Sequence, residues 1–168
     1  MQTIQATVSR GYGVGSGTSL EDKRFPGGTI RMQQPFFKAL GLDFDKYFSG
    51  DFVYGTLNLS VAPDVVEIEK PEYFFANILW SNLVGAENFF MSESSVLFND
   101  KSYKALIYIP DPSTKTEHFQ QPSIVEVIAQ KIDFIDYGVE VTLIYNPEAI
   151  AIRPAKDNHS LAAPMRTC

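Results

Sequence analysis

Cysteine is nearly missing from this chain. Cys168, the last residue, is the single one, which excludes an intramolecular disulfide and any zinc knuckle built on cysteines. Histidine is almost as scarce, and with only His118 and His159 no histidine metal cluster forms. Positive charge is in deficit: the net charge is −6 and the isoelectric point lies near 4.9. Duplex nucleic acid needs a basic stripe and none is visible, so nucleic acid is not the expected partner. Long apolar runs are also missing. No segment approaches the roughly 18 residues needed to cross a bilayer, and Met1 to Ala6 lacks the basic and then apolar pattern of a signal peptide. The expectation is a cytoplasmic protein with no membrane partner.

Several familiar catalytic words are absent too. The glycines between Gly11 and Gly17 lack the Lys-Ser/Thr ending of a Walker A motif and do not match Gly-x-Gly-x-x-Gly, so neither a P-loop nor a Rossmann fold is indicated. Ser16 is no nucleophile elbow either, because Val14 and Thr18 stand where that motif needs glycine.

Hydrophobic residues make up 45% and aromatics 13% of the 168 residues, a globular composition of one-domain size. No repeat or composition shift marks a second domain. The reading is one domain over 1–153 and a polar, proline-broken tail over 154–168. Thirteen Phe and eight Tyr favour strands. Strands are expected at Ile4 to Val8, Leu57 to Val61, Tyr73 to Leu83, Val139 to Tyr145 and Ala149 to Ile152. A hairpin is expected from Asn88 to Phe98 and Ser102 to Ile109 about Asn99-Asp100-Lys101. Gln34 to Leu40 reads as a helix with Pro35 in its first turn and Gly41 as its C-terminal cap. Pro122 to Ala129 fits strand or helix, and Pro122 at a helix start favours the helix. Phe74, Phe75, Trp80, Phe89 and Phe90 read as core in preference to a ring-stacking platform.

Chemistry is suggested by two short motifs taken in order. Gly11, Gly13, Gly15 and Gly17 alternate along one loop, where backbone N–H groups can approach an anion closely. About forty residues on, Gly55-Thr56-Leu57-Asn58-Leu59 places Thr56 and Asn58 two apart, hence on one face of a strand. Their hydroxyl and amide oxygens are hard donors of the kind Mg²⁺ accepts beside phosphate. Taken alone, each motif also fits a plain turn and solvated polar surface.

The order of these words, together with Phe36-Phe37-Lys38-Ala39-Leu40-Gly41, Ile107-Tyr108-Ile109-Pro110, Ile124-Val125-Glu126-Val127-Ile128-Ala129 and Gly138-Val139-Glu140-Val141, resembles the archaeal CTP-dependent riboflavin kinases over roughly residues 4 to 145. The resemblance implies a mainly β fold: a compact six-stranded cradle-loop barrel with two short helices. It also implies phosphoryl transfer from CTP to the 5′-hydroxyl of riboflavin or a similar flavin-like acceptor. In that alignment Thr56 and Asn58 hold Mg²⁺, and Gly11, Gly13, Gly15, Ser16 and Gly17 form the nucleotide-phosphate loop. Thr116, His118 and Glu126 touch the flavin, with Glu126 as the catalytic candidate. The backbone of Lys131, Ile132, Asp133 and Phe134 falls where the family reads the cytosine. Read without the family, Glu126 also fits the solvent face of an amphipathic helix, and Thr116 and His118 fit an ordinary loop. The chain departs from the pattern at Ser16, where the family has an acidic residue, at a second glycine pair, Gly27-Gly28, and in longer connections over 42–52 and 114–121. Ser16 is the feature that favours the alternative of a non-catalytic small-ligand or protein-binding barrel of the same ancestry.

Overall fold

The computed structural model describes residues 1–13, 15–20 and 22–156. Nine strands and two helices follow one another as β1 (Gln2–Ser9), α1 (Thr29–Ala39), α2 (Phe44–Tyr47), β2 (Leu57–Ser60), β3 (Asp64–Ile68), β4 (Tyr73–Ile78), β5 (Glu87–Phe98), β6 (Lys101–Pro110), β7 (Ile124–Ala129), β8 (Glu140–Tyr145) and β9 (Ile150–Pro154). Six of the strands close an antiparallel barrel in the order β5-β6-β7-β2-β1-β8, and β8 returns to β5. The mainly β barrel with two short helices is therefore present. No helix among the described residues is long and apolar enough to cross a membrane.

Strand alternation decides what fills the barrel. Ala6 and Val8, Leu59, Ala105 and Ile107, Val125 and Val127, Val141 and Leu143 point inward and form one continuous core. Closure depends on β5, which is long enough to serve two neighbours along one edge. Phe75 to Tyr73 of β4 pair with Phe89 to Met91, and Thr142 to Tyr145 of β8 pair with Leu97 to Ser94. The β5–β6 hairpin turns at Asn99 and Asp100, both at positive φ (50° and 59°), as a two-residue turn with matching twist requires. A separate ribbon pairs β3 with β9.

A second core lies outside the barrel. Leu106, Tyr108 and Ile128 alternate with the inward residues of β6 and β7, so they face outward, where Phe37 of α1, Phe44 of α2 and Phe48 cover them together with Phe75 and Phe89. The cover is aromatic: Phe37 lies 4.9 Å from Phe75 and 5.2 Å from Phe89, centroid to centroid. Much of the phenylalanine that the composition assigns to strands thus builds this outer layer.

Several expectations are corrected. Within the run Pro122 to Ala129, Ile124–Ala129 is strand β7 and not helix; both of its faces are covered, and a doubly buried strand loses the alternation that would distinguish it from a helix. The second helix is instead Phe44–Tyr47, opened by Asp43, whose carboxylate accepts from Asp45 N at 3.0 Å. α1 begins at Thr29, so Pro35 lies in its interior; Gln33 and Gln34 on the buried face hid the apolar period. The strand from Tyr73 ends at Ile78 after an irregularity at Asn77 (φ 57°), which frees 79–86 as a loop. Of the aromatic residues read as core, Phe75, Trp80 and Phe89 are buried, whereas Phe74 is exposed and stacks on Phe90 at the surface. The expected tail from 154 begins inside β9, where Pro154 pairs with Asp64. Its residues 157–168 lie outside the described residues.

Candidate functional site

Between the barrel wall and the outer layer lies a cavity of about 580 Å³. Its floor follows from register. Because the odd-numbered neighbours on β2 and β7 fill the barrel, Asn58 and Glu126 face outward, and they sit directly opposite each other across the β2–β7 pairing. Ser9 of β1 lies opposite Asn58 on its other side. Thr56, two residues before Asn58, reaches the same face and donates from Oγ1 to Glu126 Oε1 at 3.0 Å. Glu126 is ringed by protein, and this burial raises its pKa, opposed by Lys115 and by the Thr56 hydrogen bond. Asn58 is 4% exposed, and its Nδ2 has no hydrogen-bond partner among the described residues. Such a group is costly unless something completes it.

The glycine loop is the roof. Gly11 rests on the Asn58 amide so closely that a Cβ there would lie 2.5 Å from Nδ2. Further on, the Gly13 carbonyl accepts from Thr18 N at 2.8 Å and Ser19 N at 3.1 Å, which folds the loop back on itself. The Gly15 carbonyl accepts from Ile30 N at 3.3 Å, tying the loop to the first turn of α1. Gly28, the residue before α1, has φ 90°, and a Cβ on it would collide with the Gly15 carbonyl oxygen. The second glycine pair is therefore the surface against which the first loop packs. The first turn of α1 has no side-chain cap and no acidic residue, its Ile30 N–H being taken by the Gly15 carbonyl, and the positive end of the helix dipole lies at the cavity, which Thr29 and Ile30 line.

One end of the cavity is enclosed. Trp80 Nε1 donates to Glu87 Oε2 and Tyr108 Oη donates to Gln33 Oε1, each at 2.7 Å. Burial raises the Glu87 pKa and lowers that of Lys115, whose charge Glu126 and Glu87 support. The mouth is held by side chains from three segments. Asp22 pairs with Arg24 (Oδ2 to Nη2, 2.6 Å) and with His118 Nε2 (2.9 Å), and Arg24 also pairs with Glu117. The Arg24 bonds and then His118 hold the Asp22 carboxyl well below the usual range. Tyr12 packs on the His118 ring and donates to the Phe119 carbonyl at 2.9 Å.

Of the residues singled out from sequence, Gly11, Gly13, Gly15, Ser16, Thr56, Asn58, Thr116, His118 and Glu126 all line this one cavity. Gly17 does not; it packs against Gly28 instead. Lys131, Ile132, Asp133 and Phe134 are not among the lining residues either: Ile132 packs on the barrel core and Phe134 is almost fully exposed. Sequence reasoning missed Arg10, Lys115, Glu87 and the Asp22–Arg24 pair. Two of these carry a signal in hindsight, since Glu87 and Lys115 are charges destined for burial, but nothing local to either residue identifies its partner. A comparison with protein-family models and with curated proteins finds no match to the chain.

Proposed function

We propose that the chain is a Mg²⁺-dependent phosphotransferase that moves the terminal phosphoryl group of a nucleoside triphosphate, CTP by the family resemblance, to a primary hydroxyl of riboflavin or a similar acceptor. The observation that carries this reading is convergence: a glycine loop, a helix N-terminus without a side-chain cap, two hard oxygen donors and a half-buried carboxylate line one cavity. Phosphoryl transfer asks for positioning and charge neutralisation more than for covalent chemistry, and these groups supply both.

The donor set fits the metal. Thr56 and Asn58 are oxygen donors on one face, and the two ends of the Asn58 amide are interchangeable in shape, so a half-turn presents Oδ1 where the unpartnered Nδ2 stands. When bound, Mg²⁺ would neutralise charge on the phosphate oxygens. A hydroxyl has one proton and two lone pairs, so Thr56 can keep its bond to Glu126 while offering an oxygen lone pair to a cation. Loop amides and the α1 N-terminus hold the phosphates. In the transfer, the acceptor oxygen forms a bond to the terminal phosphorus and the bond from that phosphorus to the bridging oxygen breaks, its electron pair leaving with the nucleoside diphosphate. The hydroxyl proton passes to the Glu126 carboxylate, which its surroundings make a better base than an exposed glutamate.

Incubating the purified chain with riboflavin, Mg²⁺ and either CTP or ATP, then separating the flavins by chromatography, tests the reading. A phosphorylated flavin is expected with at least one nucleotide; unchanged riboflavin with both overturns it. Asn58→Ala should lower turnover by about 100-fold or more, about 2.7 kcal/mol of transition-state stabilisation. Its thermal midpoint should hold, because the amide removed is one that the fold leaves unpartnered.

A further inference from the structure

The cavity is a trench running across the strands. In the order β6-β7-β2-β1-β8 it is floored by Tyr108, Glu126, Asn58 and Ser9, and Tyr137, just ahead of β8, stands at its far end. Neighbouring strands lie about 4.8 Å apart, so each end is about 10 Å from Asn58. A phosphate centre in the middle thus has room for a ring on either side. The two ends differ in kind. At the β6 end, Trp80, Glu87, Gln33 and Tyr108 form an enclosed, hydrogen-bonded wall. At the β8 end the wall is an open π surface: Tyr137 is about half exposed, and the Arg10 guanidinium lies over its ring, 4.4 Å from the centroid.

We propose that Arg10 and Tyr137 form the platform on which the base of the nucleotide stacks. This rests on the nucleotide-dependent reading above and deepens it by placing the two substrates at opposite ends. Three features favour the base at this end. Arg10 immediately precedes Gly11, so a ligand lying on the platform leads its phosphates directly into the glycine loop. The platform is rigidly attached, since Gly138 N donates to Val8 O at 2.8 Å and Val8 N to Val139 O at 2.9 Å, fixing the Tyr137 turn to β1. Among the described residues Arg10 makes no ion pair, and a guanidinium and a phenol ring stack on any nucleobase through their faces. The expected cytosine reader, 131–134, does not line the trench, whereas Tyr137, three residues later, does.

The test is calorimetric titration of the full chain and its variants with CTP, tripolyphosphate and riboflavin, each with Mg²⁺. Tyr137→Ala should weaken CTP at least tenfold and leave tripolyphosphate and riboflavin within about twofold. Tyr137→Phe should bind CTP like the unaltered chain, and Arg10→Lys, which keeps the charge and loses the planar group, should again weaken CTP selectively. Unchanged CTP affinity in Tyr137→Ala, an equal loss for tripolyphosphate, or a loss confined to riboflavin overturns the platform. If the unaltered chain binds riboflavin but neither CTP nor tripolyphosphate, the nucleotide reading itself falls, and the platform with it. Thermal midpoints of the variants separate loss of the platform from loss of the fold.

Discussion

Glu126 carries opposite consequences for stability and for chemistry. Its burial raises the carboxyl pKa above the ordinary value of 4.5. The folded chain therefore binds more protons than the unfolded one between the ordinary and the raised value, and stability falls as pH climbs through that window. Above the raised value the full penalty is present. Glu126→Gln removes the charge and keeps an oxygen to accept from Thr56. The variant is expected to melt higher than the parent chain at pH 7, with the difference vanishing below about pH 4, while flavin phosphorylation is lost. Melting curves from pH 3 to 8 beside the chromatographic assay check both halves. A variant destabilised at every pH would mean that the ionised carboxylate is a structural ion, held by Lys115, and not a group kept for proton transfer. Burying a carboxylate beside a lone amide at the expense of stability is the mark of a site rather than of a core.

At the scale of elements, the two glycine-rich loops act as one piece. Gly28 combines a positive φ with direct backbone contact to Gly15, so Gly28→Ala meets both steric strain and an immovable neighbour. The expected cost is about 2 to 3 kcal/mol in denaturant unfolding, accompanied by lost nucleotide binding, because the loop amides and the start of α1 move together. A comparable substitution at Gly41, around which a Cβ would meet nothing within 4 Å, is the control for backbone strain alone. This pairing also marks how far the sequence could be read. Alternation gave the barrel strands β1, β2 and β8, and Asn99-Asp100 gave the hairpin, since each signal is local. The Gly-Thr-Leu-Asn word located two floor residues for the same reason. What stayed hidden is non-local. β7 lost its alternation to cover from both sides, the first turns of α1 hid behind Gln33, whose partner Tyr108 is 75 residues away, and the mouth joins Asp22 to His118 across 96. No window of residues contains such pairs.

Across the whole molecule, the cavity is the seam between two cores. The barrel core closes on itself through β5 and β8, whereas the aromatic layer of α1, α2 and Phe75 is bound to the barrel only on the outward side of β5, β6 and β7. The roof belongs to the chain that links β1 of the barrel to α1 of the layer, and the floor belongs to the barrel. A ligand in the trench touches both and so opposes their separation. Binding restricted to the folded state stabilises by about 2.7 kcal/mol at a free concentration one hundred times the dissociation constant. For a chain of this length that is a rise of roughly 5 to 10 °C in the thermal midpoint. The rise should grow logarithmically with CTP in the presence of Mg²⁺, shrink when the metal is chelated, and shrink equally in Asn58→Ala whether or not chelator is present, because both interventions remove the same link between floor and roof. If CTP raises the midpoint by the same amount with Mg²⁺ and with chelator, the anion is held by loop amides alone. Thr56 and Asn58 then serve the fold, and the phosphotransfer reading loses its metal.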